Sequence, residues 1–327
     1  MPAPVIETRD LTKHYGDTRA VEGLDVTVEE GQVFGFLGPN GSGKTTTIGM
    51  LLGIVTPTRG SFRLLGADGR GELSDVRRRV GATLEQPNFY PYLSCRDNLA
   101  IVARVKDAPA ARIDEALETV GLLERGSTKF DACSLGMKQR LALAATMLGD
   151  PDLLILDEPA NGLDPEGMRA IRDILLALAH RGKTIFLSSH LLWEVERTCT
   201  HVAILRHGRV VRTAAVEEIT KGGAALAALG ADDLTALETT LADYPAAGSI
   251  EREAGFVLAE VTDGDLAALN RWLAGRGIHL SHLSLKRRTL EDAFLESTTD
   301  PGAGPSTRIS DRSKHHPTPG SPDGVSA

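Results

Sequence analysis

Two hydrophobic patterns alternate along the first two thirds of this 327-residue chain. The largely apolar Gln32 to Leu37 (QVFGFL) and Lys183 to Leu187 (KTIFL) and the unbroken apolar run Leu153 to Leu156 (LLIL) predict short buried strands. Val5 to Leu11, the alternating Leu24 to Val28 (LDVTV), Ser61 to Leu65, Gly81 to Gln86, His201 to Leu205 and Arg209 to Arg212 predict further strands, with GDTRAVEG as the turn between the first two. Helical spacing lies between them: Thr46 to Ile54, the amphipathic stretch Asn88 to about Gly126 with Ile113, Leu117, Val120 and Leu123, and LALAATML after Arg140. This alternation predicts an α/β domain over residues 1–219, with a largely parallel core sheet and an inserted helical subdomain at about 88–150.

Past Lys221 the pattern changes. The chain turns alanine-rich, with Leu234, Leu237 and Leu241, then Leu266, Leu269 and Leu273, at i, i+3, i+7, and strand-like runs at Phe256 to Val261 and His279 to Leu285. These predict a small α+β C-terminal domain over 220–297, ending in the helix TLEDAFLES. From 298 to 327 Pro, Gly, Ser, Thr and charged residues replace all apolar periodicity, which predicts a disordered tail.

Composition narrows the function classes. An apolar fraction of 42% supports a sizeable core, and a net charge of −8 argues against a broad nucleic-acid footprint, so no nucleic-acid partner is expected. Cys95, Cys133 and Cys199 form no C-x-x-C pair, a sparse usage that suits small buried side chains in a reducing compartment. The N-terminus has no apolar core of a secretion signal, and no run approaches the roughly 20 apolar residues that span a bilayer. His279 and His282 have no third ligand nearby and are not read as a metal site.

The chemistry gathers at the ends of the apolar strands. QVFGFL runs into Gly38, Pro39, Asn40, Gly41, Ser42, Gly43, Lys44, Thr45, which fits G-x-x-x-x-G-K-[ST] in the order strand, loop, helix. The glycines let backbone amides and a helix N-terminus converge on a polyphosphate; Lys44 would reach the β and γ phosphates, Thr45 would hold Mg²⁺, and Thr46 stands next in line for a phosphate oxygen. LLIL ends in Asp157 and Glu158, a costly pair of carboxylates unless Asp157 serves the metal and Glu158 polarises an attacking water. Asp164 reads as a helix N-cap with Pro165 at the first helical position, and Ser134 and Gly136 stand at another helix start. His190 closes KTIFLSS on the same sheet edge and is read as a γ-phosphate contact. Tyr15, upstream, could stack on a purine, and Gln86 lies at a strand end just before Pro87.

Taken in order, these motifs resemble the ATP-binding subunit of an ATP-binding cassette (ABC) transporter, over roughly residues 3 to 219. The resemblance implies Tyr15 as the adenine-stacking aromatic, Gly38 to Thr45 as Walker A, Gln86 as the glutamine that touches Mg²⁺ and answers to the membrane subunit, and Ser134 with Gly136 as the signature. It further implies Leu154 to Pro159 as Walker B, Asn161 to Asp164 as the D-loop facing ATP, and His190 as the switch. The usual L-S-G-G-Q is replaced by Cys133, Ser134, Leu135, Gly136, Met137, leaving the serine hydroxyl and the Gly136 amide. S-L-G-M-K-Q-R and the closing T-L-E-D-A-F-L-E are similar to daunorubicin-type and bacitracin-type export cassettes. The resemblance implies ATP and Mg²⁺ as cofactors, a head-to-tail dimer of two copies sandwiching ATP, and a separate integral membrane permease, with this chain peripheral on the cytoplasmic face. A soluble ABC-type ATPase acting on ribosomes or DNA is the rival; no long coiled coil separates Lys44 from Ser134, and the chain holds one cassette. An unrelated P-loop kinase or GTPase leaves Ser134, Gly136 and His190 unexplained.

Overall fold

The computed structural model describes residues 3–294 apart from 70, 72, 85–86, 222–224, 254, 262–264, 287–288 and 293. β1 (Pro4–Tyr15) turns into β2 (Thr18–Leu24), and β3 (Thr27–Glu29) also pairs on β1. Most of the segment expected as a turn, GDTRAVEG, is therefore strand: only Gly16 and Asp17 turn, while Val21 and Leu24 point into the core and are fully buried. β4 (Val33–Leu37) leads through a loop into α1 (Lys44–Leu51), and β5 (Arg59–Leu64) and β6 (Ala67–Asp68) complete an antiparallel sheet of order β2-β1-β5-β6.

After α2 (Ser74–Arg78) and β7 (Val80–Thr83) come the helices α3 (Cys95–Val105), α4 (Ala111–Thr119) and α5 (Leu135–Met147). The expected continuous helical stretch from Asn88 begins only at Cys95, where Ser94 caps α3 by accepting the Asp97 N–H. Then follow β8 (Leu153–Leu156), α6 (Pro165–His180), β9 (Thr184–Ser189), α7 (Leu192–Thr198), β10 (His201–Arg206), β11 (Arg209–Ala215) and α8 (Val216–Lys221).

The central sheet has the order β11-β10-β4-β9-β8-β7 and is parallel except for the edge strand β11. Burial on both faces explains why β4 and β8 carry no polar side chain and why β9 is apolar through Ile185, Phe186 and Leu187. Successive residues of β4 face opposite ways: Phe34 and Phe36 join Phe186 in the core under the antiparallel sheet, with ring centroids 5.9 and 5.2 Å away, while Val33 and Leu37 join the helical core. Pairing in register sets Leu37 beside Ser189, and Leu156 beside Leu187, so the loops after β4, β8 and β9 leave one edge together.

An α+β unit follows: β12 (Ala225–Ala231), β13 (Ala247–Glu253), β14 (Phe256–Val261) and β15 (Leu280–Lys286) form an antiparallel sheet of order β13-β14-β12-β15, with α9 (Leu234–Leu241) and α10 (Leu266–Ala274) between its strands in the chain. Leu237, Leu241, Leu269 and Leu273 are the fully buried helical contributions to its core. The chain then returns to the first unit. Leu290 is completely buried in the helical core, Phe294 packs against that core, and the Leu290 N–H donates to Glu196 Oε2 of α7 at 3.0 Å. The start of TLEDAFLES is thus a packing segment for α7, the helix that follows His190; residues 295–297 and the 298–327 tail lie outside the described residues.

Candidate active site

The loop after β4 is wedged at backbone distance between its neighbours. A Cβ at Gly38 would stand 2.4 Å from Ser42 Oγ and 2.8 Å from the Leu205 carbonyl oxygen; one at Gly43, whose φ is +103°, would stand 2.5 Å from the Ala20 carbonyl oxygen. Glycine is required there by space and by dihedral. The Gly208 N–H donates to the Ser42 carbonyl at 3.2 Å, which ties the loop to the β10–β11 turn. Ser42 Oγ is buried and has no hydrogen-bond partner among the described residues. An orphaned hydroxyl costs about 1–3 kcal/mol, a cost that an anion lying along the loop would offset.

Lys44, the first residue of α1, is 6% exposed, and its Nζ donates to the carbonyls of Gly38 (2.8 Å) and Pro39 (3.3 Å). It also stands 3.2 Å from Glu158 Oε1. Thr45 is exposed and Thr46 half-buried at the same helix end. Asp157, buried at the end of β8, accepts a hydrogen bond from Ser188 Oγ at 2.5 Å, and the same oxygen accepts the Glu158 N–H at 2.9 Å. Glu158 adopts φ +48°, a left-handed conformation that costs of order 1 kcal/mol or more in a non-glycine residue and re-aims its carboxylate away from the strand. Its second oxygen, Oε2, lies 2.8 Å from His190 Nδ1. One carboxylate therefore joins the phosphate-loop lysine to the histidine that follows β9.

Behind Glu158 a cavity of about 30 Å³ is lined by Met168, Arg172, Ser189, Leu191 and Glu194 among others. Burial raises the Glu194 carboxyl above its ordinary range, against the opposing pull of Arg172, whose Nη1 donates to Glu194 Oε1 at 3.3 Å.

Ser134 and Gly136 stand elsewhere. Ser134 caps α5 by accepting the Met137 N–H at 3.3 Å, and Asp164 caps α6 by accepting the Gly167 N–H at 2.8 Å. Both line a groove of about 380 Å³ with Gly136, Arg140, Gly162 and Glu166; Lys44, Glu158 and His190 do not line it. Leu135, one of the three departures in the signature with Cys133 and Met137, is 41% exposed, and a Cβ at Gly162 would lie 3.3 Å from its Cδ2. Tyr15 ends β1 and is 50% exposed, with Lys13 Nζ 4.9 Å from its ring centroid. Gln86 lies outside the described residues.

Two contributors carried no assigned role in the sequence reading. Ser188 is one, legible only as the serine before Ser189 and His190, because its bridging of Asp157 and Glu158 crosses from β9 to β8. Asn98 is the other. Its buried amide accepts the Tyr90 N–H (2.9 Å) and donates to the carbonyls of Tyr90 (3.1 Å) and Ser94 (3.0 Å), which fastens the 90–94 loop. The His282 ring lies tilted against Phe256, with centroids 4.9 Å apart, and bonds Ser284 Oγ at 2.8 Å, and among the described residues no group of three or more His, Cys, Asp or Glu could hold a metal ion.

A glycine loop opening a helix after β4, with the parallel strand β8, one strand removed across β9, running into two carboxylates, defines a P-loop nucleoside triphosphatase. The chain belongs to the ABC transporter family, whose model matches residues 21–161, and it is an ATP-binding, ATP-hydrolysing subunit. It is 36% identical over 299 residues to the bacitracin transport ATP-binding protein of Bacillus licheniformis, covering 89% of this chain and 96% of the relative. It is 35% identical over 306 residues to the Nod factor export ATP-binding protein I of Ralstonia nicotianae, covering 90% and 94%. The fold matches the solved ATP binding subunit of an ABC transporter with a TM-score of 0.60 at 30% identity, over 66% of this chain and 92% of that one. A dimeric post-hydrolysis ATP-binding cassette bound to ADP and phosphate matches with a TM-score of 0.59 at 23% identity, over 64% and 98%.

Proposed function

We propose that this chain is the ATPase subunit of an ABC exporter, coupling ATP binding and hydrolysis to efflux of an antibiotic, drug or lipid-like molecule through a separate membrane permease. The observation that carries this is likeness to bacitracin and Nod factor export subunits over some nine tenths of the chain, well past the family match that ends at residue 161. The same likeness to transport subunits supports a separate spanning partner and a peripheral site on the cytoplasmic face; among the described residues no helix is long and apolar enough to cross a membrane. Residues 1–219 would form the cassette, with its helical subdomain at about 88–150, and 220–297 the C-terminal domain.

In this reading the loop amides of Gly38 to Gly43 and Lys44 hold the β and γ phosphates while Tyr15 stacks on adenine. Thr45 and Asp157, with Gln86, would hold Mg²⁺, which is commonly bound by one or two carboxylates plus substrate phosphates. The ion would neutralise charge between the phosphates. Glu158, aimed by its left-handed backbone and steadied by Lys44 and His190, orients the attacking water and takes up its proton at Oε1 or Oε2. Lys44 and His190 then stabilise charge on the γ-phosphate.

The separate groove of Ser134, Gly136 and Asp164 supports a site completed by a second copy, each signature facing the other chain's phosphate loop. Movement would reach the permease through the Gln86 to Asn98 segment, where Tyr90 and Tyr92 are exposed on a loop fastened by Asn98. The test is affinity capture of the tagged chain from mildly solubilised host membranes with mass spectrometry. A multi-span membrane protein is expected to accompany it; ribosomal or DNA-bound proteins alone would overturn transport.

A further inference from the structure

The fold brings two of the three cysteines together at the edge of the signature. Cys95 opens α3, and Cys133 follows a 3₁₀ turn (Phe130–Ala132) and immediately precedes Ser134. Their sulfurs lie 3.5 Å apart, 38 residues distant in sequence, and both side chains are buried. The backbone holds this approach in place. Cys95 N–H donates to the Thr128 carbonyl and Arg96 N–H to the Gly126 carbonyl, both at 2.9 Å, and Phe130 N–H donates to the Leu93 carbonyl at 3.0 Å. A bridge between Ser94 and Lys129 lies in the same ladder. Cys199 is placed apart from that ladder, at the end of α7 against Gly35, where a Cβ would come 3.1 Å from its sulfur.

We propose that Cys95 and Cys133 are a modification site: a thiol pair that a peroxide converts to a disulfide, displacing the signature serine. One thiol, as thiolate, attacks the peroxide; the O–O bond breaks, and a sulfenic acid and one water result. The second thiol attacks the sulfenic sulfur, the S–O bond breaks, the S–S bond forms, and a second water leaves with the remaining proton. Two electrons pass from the sulfurs to the peroxide, so both thiols are oxidised and one peroxide is reduced to two waters. Burial, reinforced by the neighbouring sulfur, pushes the Cys95 thiol up to about 12, so the reaction is slow and is read at its end point.

The consequence follows from geometry. A disulfide needs its sulfurs about 2 Å apart, so this pair must close by roughly 1.5 Å from its 3.5 Å separation. Cys95 is pinned by the helix start and the ladder, and Cys133 is held by its N–H on the Phe130 carbonyl at 3.2 Å and its Sγ on the Lys129 carbonyl at 3.4 Å, so closure pulls on the segment that leads directly into Ser134. This effect on turnover rests on the role proposed above for Ser134. A displacement of about 1 Å at a group that must meet a transferring phosphate can lower turnover about a hundredfold.

The full-length protein is incubated with hydrogen peroxide to completion, digested without reductant and mapped by mass spectrometry, and its ATPase rate is taken before and after dithiothreitol. The expected result is a linked Cys95–Cys133 peptide pair and a rate at least ~10-fold lower that returns on reduction. Cys133→Ala, and separately Cys95→Ala, should keep their turnover through the same treatment. Recovery of both cysteines as free thiols overturns the site, as does a link to Cys199 instead. A Cys95–Cys133 link with unchanged turnover overturns the displacement of the signature. The reduced Ser134→Ala protein separates the two readings: if it keeps full turnover, the signature role has failed rather than the thiol pair.

Discussion

Replacing Glu158 by Gln should leave ATP binding intact and lower steady-state hydrolysis at least a thousandfold, a loss of about 4 kcal/mol of transition-state stabilisation. The substitution is nearly isosteric, so the backbone at φ +48° and the Glu158 N–H bond to Ser188 are kept. What disappears is the carboxylate that can accept a proton, together with its charge beside Lys44 at 3.2 Å and His190 at 2.8 Å. A binding isotherm with radiolabelled ATP and a phosphate-release assay on the same preparation separate the two effects. A variant that hydrolyses at a tenth of the wild-type rate or faster would remove Glu158 from the role of base.

Lys44→Ala should weaken ATP binding itself. The ammonium is 6% exposed and already directed by the Gly38 and Pro39 carbonyls, so it meets a phosphate without first losing much freedom. Truncating one partner of a buried charge pair costs about 2–5 kcal/mol, which corresponds to an affinity lower by roughly thirtyfold or more. Hydrolysis at saturating ATP should fall as well, because the same charge serves the transition state. Calorimetric titration with a non-hydrolysable ATP analogue checks this. Unchanged affinity would mean that the loop amides and helix terminus hold the phosphates alone.

What the sequence made legible was what chemistry constrains locally. Gly38 to Thr45, the carboxylates after LLIL, the Asp164 cap and the serine ahead of α5 each need particular residues at particular spacings, and the structure places them at strand ends and helix starts. Long-range pairing was not legible. Thr18 to Leu24 mixes polar residues with Val21 and Leu24 and becomes a strand because β1 pairs along it. Ala225 to Ala231 went unread because alanine carries little strand preference; β14 and β15 flank it on both sides and fix its conformation. Ser188, Leu290 and the Cys95–Cys133 approach share that character, each depending on a contact more than 30 residues away in the chain.

In the proposed function one chain holds only half of each working site: Lys44 and His190 gather around the Glu158 carboxylate while Ser134 and Gly136 line a different groove. The most direct measurement is sedimentation equilibrium of the Glu158→Gln protein with and without Mg·ATP. A monomer that becomes a dimer only with nucleotide is expected, and loss of that dimer when Ser134→Arg is added. A Glu158→Gln protein that binds ATP and remains monomeric at every concentration would contradict it.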